Sequence, residues 1–252
     1  MKKQLNKNLI ERFSRQIVLK KIGITGQKKI LSSKVLIVGV GGLGCPVAEF
    51  LTRAGVGMIG VIDNDKINLS NLHRQNLYET SDIGKSKVVI LKKKLNNINQ
   101  NTKIKTYNFR LNNENFKNII EKYDYIVDGS DNFKTKFLLN DFCLKYKKNL
   151  ITGAISKFDG HIFTFKFREK KIPCLRCFFQ EKIISDEILN CESEGILGTV
   201  AGIVGIIQAN EVLKMILNIG KNLDGFILIL DLLNINLRKA KIKKRKNCLC
   251  NK

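Results

Sequence analysis

Lys34-Val-Leu-Ile-Val-Gly-Val-Gly-Gly-Leu-Gly-Cys-Pro46 is the stretch on which the reading of this chain turns. Val35 to Val38 is an apolar, largely β-branched run, the composition of a strand buried on both faces. It passes directly into Gly39, Gly41 and Gly44, a G-x-G-x-x-G spacing that turns a chain from strand to helix. Such glycines let a phosphate approach the backbone, where the free N–H groups of a helix N-terminus meet its charge. Pro46 suits an early helical position, and Val47 to Ala54 carries the helix on. Met58 to Ile62 then reads as a second strand ending in Asp63, at the distance expected of an acid that holds a ribose hydroxyl. The unit predicts a nucleotide site.

The alternation of strand and helix continues outward from this unit. Upstream, Asn6 to Lys21 has helical spacing of apolar residues, with a short helix expected over Gly26 to Ser32. Downstream, Gly84 to Asn97, Asn113 to Glu121 and Phe133 to Tyr146 read as helices, and Thr102 to Tyr107 and Tyr123 to Val127 as strands. This is the pattern of an α/β fold, a Rossmann-like doubly wound and mostly parallel sheet with ligands at the C-terminal strand ends. The pattern changes after that: Asn149 to Ile155 and Gly160 to Phe167 are joined by a short turn and are expected to be antiparallel. An irregular, cysteine-bearing segment runs from Lys170 to Gly198, then a long helix over Thr199 to Leu217 and strands at Phe226 to Leu230 and Asn234 to Lys241. With no internal repeat or linker, a single domain over 1–252 is expected: a helical arm over 1–32, a nucleotide-binding core over 33–155 and a final part over 156–252.

The chain of 252 residues can bury a large core. Its formal net charge of +23 invites a nucleic-acid reading. The lysines, however, are scattered along every segment of a chain equally rich in Asn and Ile, so no nucleic-acid partner is expected. A basic surface would instead speed encounter with an acidic protein. Leu9-Ile10 is broken at once by Glu11 and Arg12, so no export signal is read. Thr199 to Gly220 contains Gln208, Asn210, Glu211 and Lys214, too polar to be expected in a membrane. A cytoplasmic location follows, and in that context seven cysteines suggest metal binding or catalysis before disulfides.

A lone G-x-G-x-x-G most often means NAD or FAD, which makes an oxidoreductase the alternative to beat. Three features favour ATP. Asn71, Arg74 and Gln75 form a donor-rich loop suited to phosphate oxygens. Lys87 stands at the start of the next helix, within reach of a polyphosphate. Asp131 lies at a C-terminal strand end, where a carboxylate can hold Mg2+ together with substrate phosphates. Taken singly, Arg74 and Lys87 read as solvated charges, Arg15 as a helix-face charge, and Asp63 and Asp131 as turn formers; their common placement at strand ends argues otherwise. Gly84-Lys-Ser86 imitates the tail of a P-loop, but Glu79 stands where its first glycine belongs.

Arg12-Phe-Ser-Arg-Gln16, Gly39-Val-Gly-Gly-Leu-Gly-Cys45, Asp63-Asn-Asp65, Ser70-Asn-Leu-His-Arg-Gln75, Gly84-Lys-Ser-Lys87, Asp131-Asn132 and Cys174-Leu-Arg-Cys177 occur in this order. Together they resemble the ThiF/MoeB/HesA family, bacterial relatives of ubiquitin-activating enzymes, over almost the whole chain. The resemblance implies an ATP-dependent adenylyltransferase. Its substrate would be the C-terminal glycine carboxylate of a small ubiquitin-fold sulfur-carrier protein ending in Gly-Gly, serving molybdopterin, thiamine or another sulfur pathway. It also implies a homodimer in which Arg15 reaches the partner subunit's site. Arg74, Lys87 and Asp131 would be catalytic, and Gly39, Gly41, Gly42, Asp63, Asp65, Asn71, Gln75 and Asn132 would line the nucleotide. His73 stands where the family is expected to have Gln and reads as a polar loop residue; His161, in an apolar strand, reads as structural.

Cys174-x-x-Cys177 is half of a tetrahedral zinc site, and Cys248-Leu-Cys250 is a candidate for the other half, against a redox or free dithiol. The family's second pair is C-x-x-C, one residue longer. Cys191 matches a position where family members carry a cysteine used in sulfur transfer, although Glu192 and Glu194 would disfavour its thiolate. Cys45 and Cys143 read as small buried residues.

Overall fold

The structure is a computed structural model that describes residues 5–168, 172–179 and 195–251. Its strands are β1 (Lys34–Val38), β2 (Met58–Ile62), β3 (Lys103–Tyr107), β4 (Tyr125–Asp128), β5 (Asn149–Ser156), β6 (Asp159–Lys166), β7 (Phe226–Asp231) and β8 (Asn236–Lys241). They form one eight-stranded sheet in the order β3-β2-β1-β4-β5-β6-β7-β8. The first five are mutually parallel, and β6, β7 and β8 are added antiparallel, as expected. The order reverses between β1 and β4, which is where open α/β sheets bind ligands. Register brings Val38 opposite both Ile62 and Asp128, so the chain leaves three strands at one level, at Gly39, Asp63 and Gly129.

Alternation along β1 assigns the two faces of the sheet. Val35 and Ile37 join one core with Val47, Leu51, Val88, Leu91 and Val212. Leu36 and Val38 join the other with Phe116, Ile120, Leu139, Phe163 and Phe165. The first face is therefore covered by α4 (Gly44–Ala54), α5 (Lys87–Ile98) and α9 (Gly198–Leu217), and the second by α6 (Asn113–Ile120), α7 (Phe133–Lys145) and the one-turn α8 (Leu175–Phe178). By length and composition alone α9 passes for a membrane span, as the buried core helix of a globular domain also does. That differs from the reading of its polar residues. Here the helix packs on α4, β5 and β6, and Gln208 and Glu211 are buried among partners within the fold.

Three helices depart clearly from the sequence expectation, one of them simply by starting at Gly23 instead of Gly26. The single helix over Asn6 to Lys21 is instead α1 (Lys7–Arg12), capped by the Asn6 side chain, and α2 (Ser14–Ile17), followed by α3 (Gly23–Ser32). The break falls at Phe13, whose ring is buried over Gly55, the left-handed residue that ends α4 (φ 90°). A Cβ at Gly55 would stand 2.5 Å from that ring, so only glycine satisfies both the turn and the contact. The helix expected from Gly84 begins at Lys87, because residues 84–87 pair with 65–67. Gly84 N–H donates to Ile67 O, Ile67 N–H to Lys85 O and Lys87 N–H to Asp65 O.

Phe13→Ala should lower stability by about 3–5 kcal/mol, the usual cost of emptying a buried aromatic site. Urea unfolding followed by circular dichroism measures it, and Phe13→Leu should recover most of the loss.

Candidate active site

The glycine turn is fixed by backbone held against backbone. Gly39 (φ 82°) donates its N–H to Ile62 O, at 2.9 Å. A Cβ on Gly44 would lie 2.0 Å from the Gly39 carbonyl oxygen, which explains why helix α4 can start here at all. Val40 is gripped at both ends of its residue. Its N–H donates to Asp63 Oδ2 at 2.9 Å, and its carbonyl accepts from the Tyr78 hydroxyl at 3.0 Å and the Cys45 thiol at 3.2 Å. The peptides that follow, at Gly41 and Gly42, are thereby aimed. Gly41 meets nothing nearer than the Gln75 amide, 3.5 Å from where a Cβ would be, and this open side is the room a phosphate needs.

Asp63 accepts a second N–H from Asp65, at 2.9 Å. Burial raises its carboxyl pKa, while Lys87 and the Val40 N–H work against the rise. Lys87 is buried and donates to Asp65 Oδ2 at 2.9 Å, so Asp63, Asp65 and Lys87 form one charged group beside the turn. In the loop beyond β2, Asn71 Oδ1 accepts from the Asn68 N–H and closes a 3-10 turn over Leu69–Asn71. Arg74 donates to Ser70 O at 2.9 Å, pairs with His73 Nε2 at 2.8 Å and lies along Gly42. Gln75 is buried; its Nε2 is the amide atom nearest Gly41, and its Oε1 has no hydrogen-bond partner among the described residues. An orphaned buried acceptor at this place suits a ligand group that donates to it.

At the end of β4, Asp131 is exposed; Asn132 Nδ2 donates to its Oδ1 at 3.2 Å, and Asn132 Oδ1 caps α7 by accepting from the Thr135 N–H. The structure thus brings Gly39, Gly41, Gly42, Asp63, Asp65, Arg74, Gln75 and Lys87 together, with Asp131 and Asn132 in the adjoining loop. Arg15 is not among them. Its neighbour Gln16 donates to Ala54 O at the C-terminal end of α4. The glycine turn is at the other end of that 11-residue helix, about 16 Å away at ~1.5 Å per residue. Cys191 lies outside the described residues.

The four remaining cysteine candidates do converge, despite the short C-x-C spacer. Sγ atoms of Cys174, Cys177, Cys248 and Cys250 all lie within 4.8 Å of one another, with Cys174–Cys248 and Cys177–Cys250 both at 3.5 Å. A tetrahedral ion ~2.3 Å from each sulfur needs sulfurs about 3.8 Å apart, so the cluster is compatible with zinc. Without a cation, burial raises the Cys174 thiol and pushes Cys250 up to about 12. The turn carrying Cys174 and Cys177 is fastened to α7: Leu175 N–H donates to Asn140 Oδ1 at 2.9 Å, and Arg176 forms a bidentate pair with Asp141.

Sequence reading missed the support behind the Asp131 loop. Lys136 is buried and bonded to buried Asp128, whose backbone carbonyl accepts from Gln208 Nε2 at 2.8 Å. One lysine of α7 carries no signal in so lysine-rich a chain. Asp128, closing an apolar run as Asp63 does, was the only clue.

A model of the ThiF family matches residues 13–252. The chain belongs to the ThiF family. It is 38% identical over 245 residues to the sulfur carrier protein adenylyltransferase of Thermus thermophilus, which covers 96% of this chain and 90% of that protein. It is 39% identical over 243 residues to the adenylyltransferase and sulfurtransferase MOCS3 of Aedes aegypti; here 96% of this ThiF-family chain aligns, spanning only 55% of the longer protein. The Escherichia coli MccB crystal structure with ATP superposes with a TM-score of 0.81 at 24% identity, covering 98% of this chain and 74% of MccB, a likeness of fold. These relatives do not favour an oxidoreductase.

Cys45 is fully buried, and burial pushes its thiol up to about 12. Its neutral form is thereby favoured in the folded chain. The stability it contributes is full below about pH 8.5, where an unfolded thiol is still protonated, and is lost as pH rises toward 12. Urea midpoints should therefore fall between about pH 9 and 11, and fall less steeply in Cys45→Ala. In the native chain at neutral pH, mass mapping should find Cys45 unlabelled by iodoacetamide.

Proposed function

We propose that this chain is an ATP-dependent adenylyltransferase acting on the C-terminal glycine carboxylate of a ubiquitin-fold sulfur-carrier protein ending in Gly-Gly. The observation that carries the reading is Arg74 and Gln75 set against the Gly41–Gly42 backbone, with Lys87 paired to Asp65 next to Asp63. Two cations and an orphaned acceptor serve a triphosphate and a peptide tail better than a dinucleotide. The names of the relatives point the same way.

In this reaction a carrier carboxylate oxygen forms a bond to the α-phosphorus as the bond to the β-phosphate oxygen breaks. Acyl-adenylate and pyrophosphate result, with no proton transfer required. The difficulty is electrostatic, because one anion must approach another. Arg74 beside Gly42 and Lys87 beside Asp65 would neutralise the phosphates and stabilise the charge on departing pyrophosphate. Asp63 would orient the ribose, with Asp65, Asn71 and Asn132 completing the pocket. Asp131, an exposed carboxylate at the end of β4, would hold the Mg2+ that accompanies the nucleotide and balances its charge. Most of the acceleration would come from placement, since the protein forms no bond to the substrate in this step.

A homodimer completes the site. Arg15 sits on an arm anchored to the far end of α4, so its cation would serve the site of a second copy. The three parts, 1–32, 33–155 and 156–252, would act as a single adenylation domain. Zinc at Cys174, Cys177, Cys248 and Cys250 would fasten the chain end to α7 and neutralise four crowded sulfurs. Cys191 would be available for sulfur transfer after adenylation, in a cytoplasmic enzyme with no nucleic-acid or membrane partner.

Pyrophosphate exchange with ATP, Mg2+ and purified carriers ending in Gly-Gly tests the reading. Arg74→Ala and Lys87→Ala should each lower exchange about 10²–10³-fold, the usual cost of removing one charge-stabilising donor. Unchanged exchange in both would refute it, as would tight NAD or FAD binding without exchange. Metal analysis should find one zinc per chain, lost in Cys174→Ser together with part of the thermal stability.

A further inference from the structure

β4 ends in Asp128, which has no solvent exposure. Its Oδ1 accepts two bonds from Ser130, from the N–H at 3.0 Å and from the hydroxyl at 2.6 Å. Its Oδ2 accepts from Lys136 Nζ at 3.1 Å. The same ammonium donates to Ser130 O at 2.8 Å and to Gly153 O on β5 at 2.6 Å. An ammonium has three hydrogens, and all three are committed inside the fold, so Lys136 has none for a ligand. What it holds is the short loop between β4 and α7. Gly129, within that loop, lies against the glycine turn: a Cβ on Gly39 would stand 2.8 Å from the Gly129 carbonyl oxygen. Asp131 follows one residue after the part held by Lys136.

We infer that Lys136 is a positioning residue for the nucleotide site, which fixes the loop from Gly129 to Asp131 and so sets where the Asp131 carboxylate stands relative to the glycine turn. The inference rests on the reading of Asp131 as the Mg2+ ligand. A lysine serving stability alone would change the melting temperature and leave metal dependence untouched. A positioning lysine acts as partners behind a metal ligand do, whose loss typically weakens metal use about 10–100-fold.

The test compares wild type with Lys136→Met, Lys136→Arg and Ser130→Ala. Two measurements are made: the Mg2+ dependence of pyrophosphate exchange, and binding of a fluorescent ATP analogue with and without Mg2+. In Lys136→Met the Mg2+ concentration for half-maximal exchange and binding should rise about 10-fold or more, while binding of the metal-free nucleotide is unchanged. Lys136→Arg should restore most of the loss, and Ser130→Ala should shift the Mg2+ dependence in the same direction by less. Removing Lys136 leaves Asp128 buried and unpaired, which threatens folding. Ser130→Ala keeps that pair and decides the matter if Lys136→Met does not fold. Wild-type Mg2+ dependence in folded Lys136→Met, or otherwise in Ser130→Ala, overturns the inference alone. A wild-type chain with neither exchange nor Mg2+-dependent nucleotide binding overturns the adenylation reading and this inference with it.

Discussion

Backbone meets backbone without side chains between them at the ends of β1 and β4, and the site depends on that contact. A Cβ on Gly44 would fall 2.0 Å from Gly39 O, and one on Gly129 would fall 2.8 Å from the same oxygen. Three segments can share this volume only because each presents glycine. The closeness starts α4 directly above the strand end and leaves Gly41 with open space beside it. It also puts the Asp131 loop beside the glycine turn.

Around this contact the charges are arranged in two tiers. Lys87, itself buried, pairs with the exposed Asp65 next to Asp63, and Arg74 pairs with His73 beside Gly42. Lys136 with Asp128 is buried and fully committed, and a pair of that kind contributes order more than net stability. Helix α7 links the tiers to the cysteine cluster. It begins at the Asn132 cap beside the site, carries Lys136 one turn later, and two turns from the cap presents Asn140 and Asp141, which grip the turn bearing Cys174 and Cys177. A zinc ion there would brace the same helix that braces the loop.

Parallel strands were legible because burial on both faces leaves a continuous apolar run, and Met58–Ile62 matches its expected bounds. Helix ends were less so. Apolar spacing continues through Phe13, yet the ring is captured by a glycine distant in the chain. Lys87 begins its helix late because a loop before it takes up residues 84–87. The candidate site residues were readable as motifs, but the C-x-C pair could not be judged by spacing alone: its two sulfurs meet Cys174 and Cys177 through contacts between distant parts of the chain.

By itself the amino-acid order determined the strand–glycine–helix unit, the acid at the end of β2, the change from parallel to antiparallel strands and the identity of the charged groups. These are local matters, governed by side-chain period, backbone freedom and the number of residues between signals. Only the tertiary structure decided which charges face the open backbone and which are spent within the fold. It gave Lys87 the exposed carboxylate of Asp65 and Lys136 the buried one of Asp128, put Arg15 near the far end of α4, and left Gln75 with an acceptor unmet. The physical reason is that a lysine or glutamine is defined functionally by its hydrogen-bond partners. In a sheet whose neighbouring strands are not neighbours in sequence, those partners come from distant parts of the chain.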